Sequence, residues 1–103
     1  MTHSVIQEGE KTVLHVSGEL DALSCPELRP VLDEMVEQRK LAVTVDLSEL
    51  RLIDSSGVGA MVSLYKRVRA LGGAVSFVGV TAQPLVIFKL LRLDRAFQLE
   101  LSA

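Results

Sequence analysis

A single cysteine, Cys25, stands in the 103 residues, which excludes an intrachain disulfide and any cysteine-rich zinc site. A buried place on an apolar helix face is the ordinary setting for such a lone thiol. The two histidines, His3 and His15, lie at ligand spacing from neither Cys25 nor each other, so no metal site is expected. Aromatic residues make up 4% of the chain and tryptophan is missing, too few for base-stacking platforms. Eleven basic against thirteen acidic residues leave a net charge of −2, with no positive field to hold a polyanion. Nucleic acid is therefore not an expected partner, and the local cluster of Lys66, Arg67 and Arg69 reads as a solvated helix face. No apolar run approaches the roughly 20 residues of a membrane span. The opening "MTHSVIQEGEKTV" carries Glu8 and Glu10 and lacks the basic-then-apolar pattern of a secretory signal. These absences predict a soluble, cytoplasmic protein with no membrane partner.

What is present reads as one domain over residues 1–103, large enough for a single core. "SVIQEG" and "KTVLHVSG", with Gly9 between them, predict a β-hairpin, and Glu19, Leu20 and Asp21 follow on a loop. A first helix is expected from Ser24, with Pro26 in its first turn and Glu27 completing an S-x-x-E capping box. Leu28, Leu32, Met35 and Val36 recur on its inner face, and Pro30 falls early enough to bend the helix without ending it. "LAVTVDL" reads as a strand buried on both sides, "SELRLI" as a connector, and "DSSG" as the next helix start. Met61, Leu64, Tyr65, Val68 and Leu71 keep the 3.6-residue period until Gly72-Gly73. "AVSFVGV" predicts another strand and "AQPLVIFKLLRL" a third helix, with Leu85, Phe88 and Leu90 or Leu91 facing inward. "AFQLEL" reads as a last short strand or an ordered tail. The order β-β-α-β-α-β-α, with a possible final β, predicts an α/β mixed sheet with partly parallel strands and covering helices.

Chemistry concentrates in "LIDSSGVGAMV", at the carboxyl end of an apolar stretch where such folds often meet their ligands or partners. Asp54, Ser55 and Ser56 are all helix-capping types, and Gly57 and Gly59 ease the backbone into the turn. A phosphate-binding loop would need a lysine after its second glycine, and the first lysine here is Lys66. A nucleophilic serine would need a base and a group to orient it, and no glycine precedes either serine by two, as a nucleophile elbow requires. Neither a cofactor nor an enzymatic activity is therefore expected. A serine modified by another protein remains. A phosphoryl group at a helix start would add about −2 of charge where the dipole tolerates it. The fold would survive, while a partner docking beside Asp54 would meet concentrated negative charge.

The ordered set of "GELD", the "DLS" strand end, "DSSGVG", "GG" and the P-x-x-x-F-x-x-L helix strongly resembles the anti-sigma factor antagonists, single-domain STAS proteins of bacteria. That resemblance covers nearly the whole chain. It implies the STAS fold and a protein that binds an anti-sigma factor, itself a serine kinase of the histidine-kinase-like ATPase type, and so frees a sigma factor. It also implies phosphorylation at Ser55, the serine directly after the aspartate, reversal by a phosphatase, and a partner-binding face of Asp21, Asp54, Ser55, Ser56 and Gly57. Two positions depart from the family pattern. Val58 stands between glycines where leucine is common, and Arg92 stands where glycine is usual in Leu90-Leu91-Arg92-Leu93. Other readings are a STAS module of another assembly, such as a stress-signalling scaffold or a lipid-transporter subunit, and a nucleotide-binding phosphotransferase.

Overall fold

The structure, a computed structural model, describes residues 1–97. The expected hairpin forms between β1 (Thr2–Glu8) and β2 (Lys11–Leu20), antiparallel and in continuous register from Thr2↔Ser17 to Glu8↔Lys11. β2 then pairs in parallel with β3 (Ala42–Asp46) through residues 12–15. Farther along, residues 18–20 pair in parallel with β4 (Leu50–Ile53), with a register shift between Gly18 and Glu19. The extra residue at that shift is Arg51 of β4, and Gly18, which faces Leu50 across it, takes a left-handed backbone at φ +83° that most side chains resist. β5 (Ala74–Val78) completes the sheet beside β3, giving the order β1-β2-β3-β5 with β4 attached to β2.

β4 is the strand that the sequence disguises as a connector. Its burial runs buried, exposed, exposed, buried, so Leu50 and Ile53 face the core three residues apart and the alternation that identifies a strand never appears. β3 also departs from expectation, since Val43 and Val45 are buried while Thr44 and Asp46 are only half-buried. The reason is one-sided packing. Leu14 and Val16 of β2, Val43 and Val45 of β3, and Val75 and Phe77 of β5 join one cluster with the helices, and residues of the other parity do not.

α1 (Cys25–Glu37) contributes Cys25, Leu28, Leu32 and Met35 to that cluster, with Val36 packed at its margin. α2 (Ser55–Ala70) contributes Met61, Leu64 and Val68 from the expected face. In α3 (Ala82–Leu90) Phe88 is fully buried, but Leu90 and Leu91 are 72% and 54% exposed rather than inward-facing. The helix ends there, because Arg92 adopts φ +58°. A left-handed residue just past a helix is a stop signal usually supplied by glycine. A short α4 (Leu93–Ala96), absent from the expected order, carries Phe97 into the core. Phe97 stacks on Phe77 at 4.3 Å between centroids and lies 4.8 Å from Tyr65 and 5.8 Å from Phe88. An aromatic-poor sequence thus gathers its three phenylalanines and its tyrosine in one place, where such pairs add to area burial. The expected last strand falls mostly on residues 98–101, outside the described residues.

Candidate functional site

Parallel pairing of β2 with β4 sets Leu20 beside Ile53, so the next residues of the two strands, Asp21 and Asp54, emerge together at the carboxyl end of the sheet. The Asp54 N–H still donates to the Leu20 carbonyl at 3.2 Å. Asp54 then leaves the strand with extended backbone and becomes the N-cap of α2. Its Oδ1 accepts from the Gly57 N–H at 3.0 Å, and its Oδ2 accepts from the Ala22 N–H at 3.0 Å. One carboxylate therefore satisfies a helix-start donor and fastens the neighbouring loop.

The loop from Asp21 to Ser24 is itself closely tied. Asp21 Oδ1 accepts from the N–H groups of Leu23 and Ser24 at 3.1 and 3.0 Å, and the Asp21 N–H donates to Ser24 Oγ at 3.0 Å. The Ser24 hydroxyl in turn donates to the Glu19 carbonyl at 3.0 Å. The backbone hydrogen bond from Ser24 chiefly holds the Asp21 carboxyl below its ordinary range; partial desolvation opposes it, and the Ser24 hydroxyl and the Leu23 N–H reinforce it. The capping box expected of Ser24 and Glu27 does not form. Ser24 occupies the N-cap position without a side-chain bond to α1, because its hydroxyl is engaged with the loop behind it. Cys25 is buried, and desolvation pushes its thiol upward in pKa, which makes it a packing group rather than a nucleophile.

Ser55, the first residue of α2, is exposed; Ser56 is half-buried, and Gly57 is buried. A Cβ at Gly57 would lie 2.6 Å from Ile53 Cγ1 and 2.6 Å from the Leu20 carbonyl oxygen. Gly57 thus serves by letting α2 sit close against the ends of β2 and β4, underneath the surface that Asp21, Asp54 and Ser55 share. Two further side chains frame that surface. Gln83, at the start of α3, accepts from the Ile53 N–H at 2.9 Å and donates to the Ile53 carbonyl at 3.0 Å. It lines a shallow depression with Glu19, Asp21, Leu52, Ile53 and Asp54. Leu23, at the loop's outer turn, is 92% exposed. The apolar residue inside "DALS" was a sequence signal for Leu23; nothing local marked Gln83.

His15 lies elsewhere. It pairs through Nδ1 with Asp46 Oδ2 at 3.2 Å, five residues before Leu20 along β2 and so about 16 Å from the strand's end at the usual rise per residue. Ser55 has no histidine base beside it. Among the described residues no group of three or more His, Cys, Asp or Glu is placed to hold a metal ion. None of their helices is long and apolar enough to cross a membrane.

A family model described as "Mlab, STAS domain" matches residues 3–101. An anti-sigma-B factor antagonist of Listeria monocytogenes is 23% identical over 87 residues, which are 84% of this chain and 76% of that protein. Among solved structures, an anti-sigma factor antagonist from Mycobacterium paratuberculosis superposes with a TM-score of 0.89 at 24% identity, covering 98% of this chain and 86% of the other. The phosphorylated form of the Bacillus cell fate determinant SpoIIAA superposes with a TM-score of 0.76 at 20% identity, covering 91% and 86%.

Proposed function

The chain belongs to the STAS domain family, and from that premise we propose that it is an anti-sigma factor antagonist switched off by phosphorylation at Ser55. The observation that carries the reading is the exposed Ser55 at the start of α2, beside an Asp54 whose two oxygens bind α2 and the Asp21–Ser24 loop. Asp21, Asp54, Ser55 and Ser56 form the partner-binding face, and Gly57 supports it from beneath. The partner is an anti-sigma factor with serine kinase activity, and binding it releases a sigma factor for transcription. The existence of a relative in phosphorylated form and the curated relatives' description as antagonists support this reading.

In the switching step the Ser55 hydroxyl oxygen attacks the γ-phosphorus of a nucleoside triphosphate held by the kinase. The bond to the bridging oxygen breaks, the nucleoside diphosphate leaves, and the hydroxyl proton passes to a base on the kinase or to solvent. This chain supplies the acceptor hydroxyl and its placement, and no catalytic group. The product carries about −2 of charge at a helix start, where unpaired N–H groups and the dipole tolerate it, so the fold persists. Burying that dianion next to Asp54 under a partner carries a desolvation cost and like-charge repulsion, so the complex does not. A phosphatase hydrolyses the ester and restores binding. A cytoplasmic location follows from such partners.

The test uses affinity capture from the native cell with the unmodified chain, then mass spectrometry of the captured kinase and of the modified serine. Ser55→Ala is expected to bind that kinase constitutively, and Ser55→Asp to bind at least tenfold more weakly with its folding intact. Equal affinities, or phosphate on a residue other than Ser55, would overturn the reading. The matched model's description, "Mlab, STAS domain", favours a second reading as a STAS module in another assembly. Co-purification with a transporter complex and no kinase would select it.

A further inference from the structure

We propose that β1 is a dimerisation edge, through which two copies of this chain join their five-stranded sheets into one. β1 ends the strand order, and among the described residues no strand pairs with its outer side. The backbone groups that β2 does not take therefore face outward along Thr2–Glu8. Natural edges are blunted by lysine, proline, a bulge or a covering element. β1 contains neither lysine nor proline, and its register with β2 runs without a shift from Thr2↔Ser17 to Glu8↔Lys11. Its one carboxylate, Glu8, stands at the last position of the strand. The margin of β4, by contrast, is occupied at Ile53 by Gln83.

The side chains of β1 lead the same way. Residues directly opposite each other in a ladder share a face of the sheet, so Val5, Leu14, Val45 and Phe77 form one row across four strands. The last three are 0%, 0% and 2% exposed, whereas Val5, at the margin, is 45% exposed. The row that builds the core thus ends on an apolar residue left half in water. On the other face Ile6, 47% exposed, lies opposite Val13, which is 7% exposed. β5, at the far end of the strand order, is different: its middle residue is the exposed Ser76, and its apolar Val75 and Phe77 are buried.

The strand itself specifies the occupant. A two-fold axis perpendicular to the sheet keeps every side chain on its own face, so only residues of like parity can oppose each other. Val5 is the midpoint of the seven-residue strand, and an axis at Val5 gives the one antiparallel register that pairs every residue. Val5 then meets the partner's Val5, Ser4 the partner's Ile6, His3 the partner's Gln7 and Thr2 the partner's Glu8. No like charges oppose each other, and the row from Phe77 to Val5 continues into its copy. Main-chain hydrogen bonds and apolar cross-strand pairs supply the affinity. The contact is small, so the dimer is reversible and forms in the micromolar range. β1 reaches no farther along β2 than Ser17, so Asp21, Asp54 and Ser55 lie beyond the shared ladder in both copies.

Sedimentation equilibrium of the full chain at rising concentration tests the dimer. The parent is expected to pass from monomer to dimer in the micromolar range. Val5→Lys sets two ammonium groups against each other across the axis and should weaken association at least tenfold, and Val5→Glu should do the same with two carboxylates. Mixing the two variants restores the dimer to within about threefold of the parent, because opposite charges then meet, and that recovery also shows both variants to be folded. Val5→Cys yields a covalent dimer on mild oxidation, since the native Cys25 is buried. Ser76→Lys, at the middle of β5, stays within twofold of the parent. A parent that remains monomeric into the millimolar range would overturn the proposal and leave this edge to a strand from another protein. Undiminished association of Val5→Lys would overturn it by placing the contact elsewhere on the molecule. Failure of the mixture to recover, together with no cross-link from Val5→Cys, would overturn pairing about Val5.

Discussion

The starts of α1 and α2 use similar residues for opposite purposes. Each helix follows a β-strand, each has a capping residue at its N-cap, and each is preceded by an aspartate-containing turn or strand end. At α2, Asp54 turns one oxygen to the Gly57 N–H and the other to Ala22. At α1, Ser24 ignores its own helix, and its hydroxyl is shared between the Asp21 N–H and the Glu19 carbonyl. A hydroxyl with one proton and a short reach serves whichever partner the backbone brings first, whereas a carboxylate can accept from two directions at once. The difference explains why the surface shared by Asp21, Asp54 and Ser55 is organised from α2, with α1 following the loop that α2 holds.

The comparison can be broken most severely at Gly57. Gly57→Ala drives a Cβ into Ile53 and the Leu20 carbonyl and is expected to cost about 3 kcal/mol, read as a lower midpoint in denaturant. Gly59, also in the first turns of α2 but exposed and with nothing within 4 Å of a Cβ, should tolerate alanine and gain about 0.5–1 kcal/mol. Asp54→Ala removes both a cap and a loop tie, so about 2 kcal/mol of stability should go. Hydrogen exchange should accelerate at Ala22 as well as at Gly57. If only Gly57 accelerates, the cap and the loop are not coupled. Ser24→Ala should cost about 1 kcal/mol, with faster exchange at Asp21 and unchanged protection within α1.

Acid sharpens the contrast further. The folded pKa of Asp21 lies below its ordinary value of 3.8, so its carboxylate contributes stability above that value and loses it as pH falls through the folded pKa. Asp21→Asn should therefore be less stable than the parent at neutral pH, and the gap should narrow in denaturation curves taken progressively below pH 3.8. A gap that stays constant with pH would assign the effect to shape instead of charge. The smallest effect is expected at Glu27, where Glu27→Gln should change stability by less than about 0.5 kcal/mol, since no capping box exists to lose.

Much of this arrangement is legible in the chain. The hairpin, the faces of α1 and α2 and the start of α2 at "DSSG" all follow from periodicity and capping chemistry, because each rests on residues close together in sequence. The misses involve partners or conformations that no local pattern names. β4 owes its strand geometry to β2, some thirty residues earlier, and its own four residues show no alternation. The pattern S-x-x-E points to a capping box because it says nothing of the Glu19 carbonyl that competes for the Ser24 hydroxyl. One of Leu90 and Leu91 looks inward-facing by periodicity, yet both are exposed because Arg92 takes a left-handed conformation and stops the helix. Of the candidate site, Asp54 and the serines were visible from local grammar, whereas the bond from Asp54 to Ala22, 32 residues away, could come only from the fold.

The primary amide of Gln83 matches the donor-acceptor spacing of a peptide group and occupies the place that another backbone would take alongside Ile53. An incoming strand would have to evict it before extending the sheet there. The margin of β4 beside Ile53 is thereby closed to edge-to-edge pairing by a side chain of the same fold.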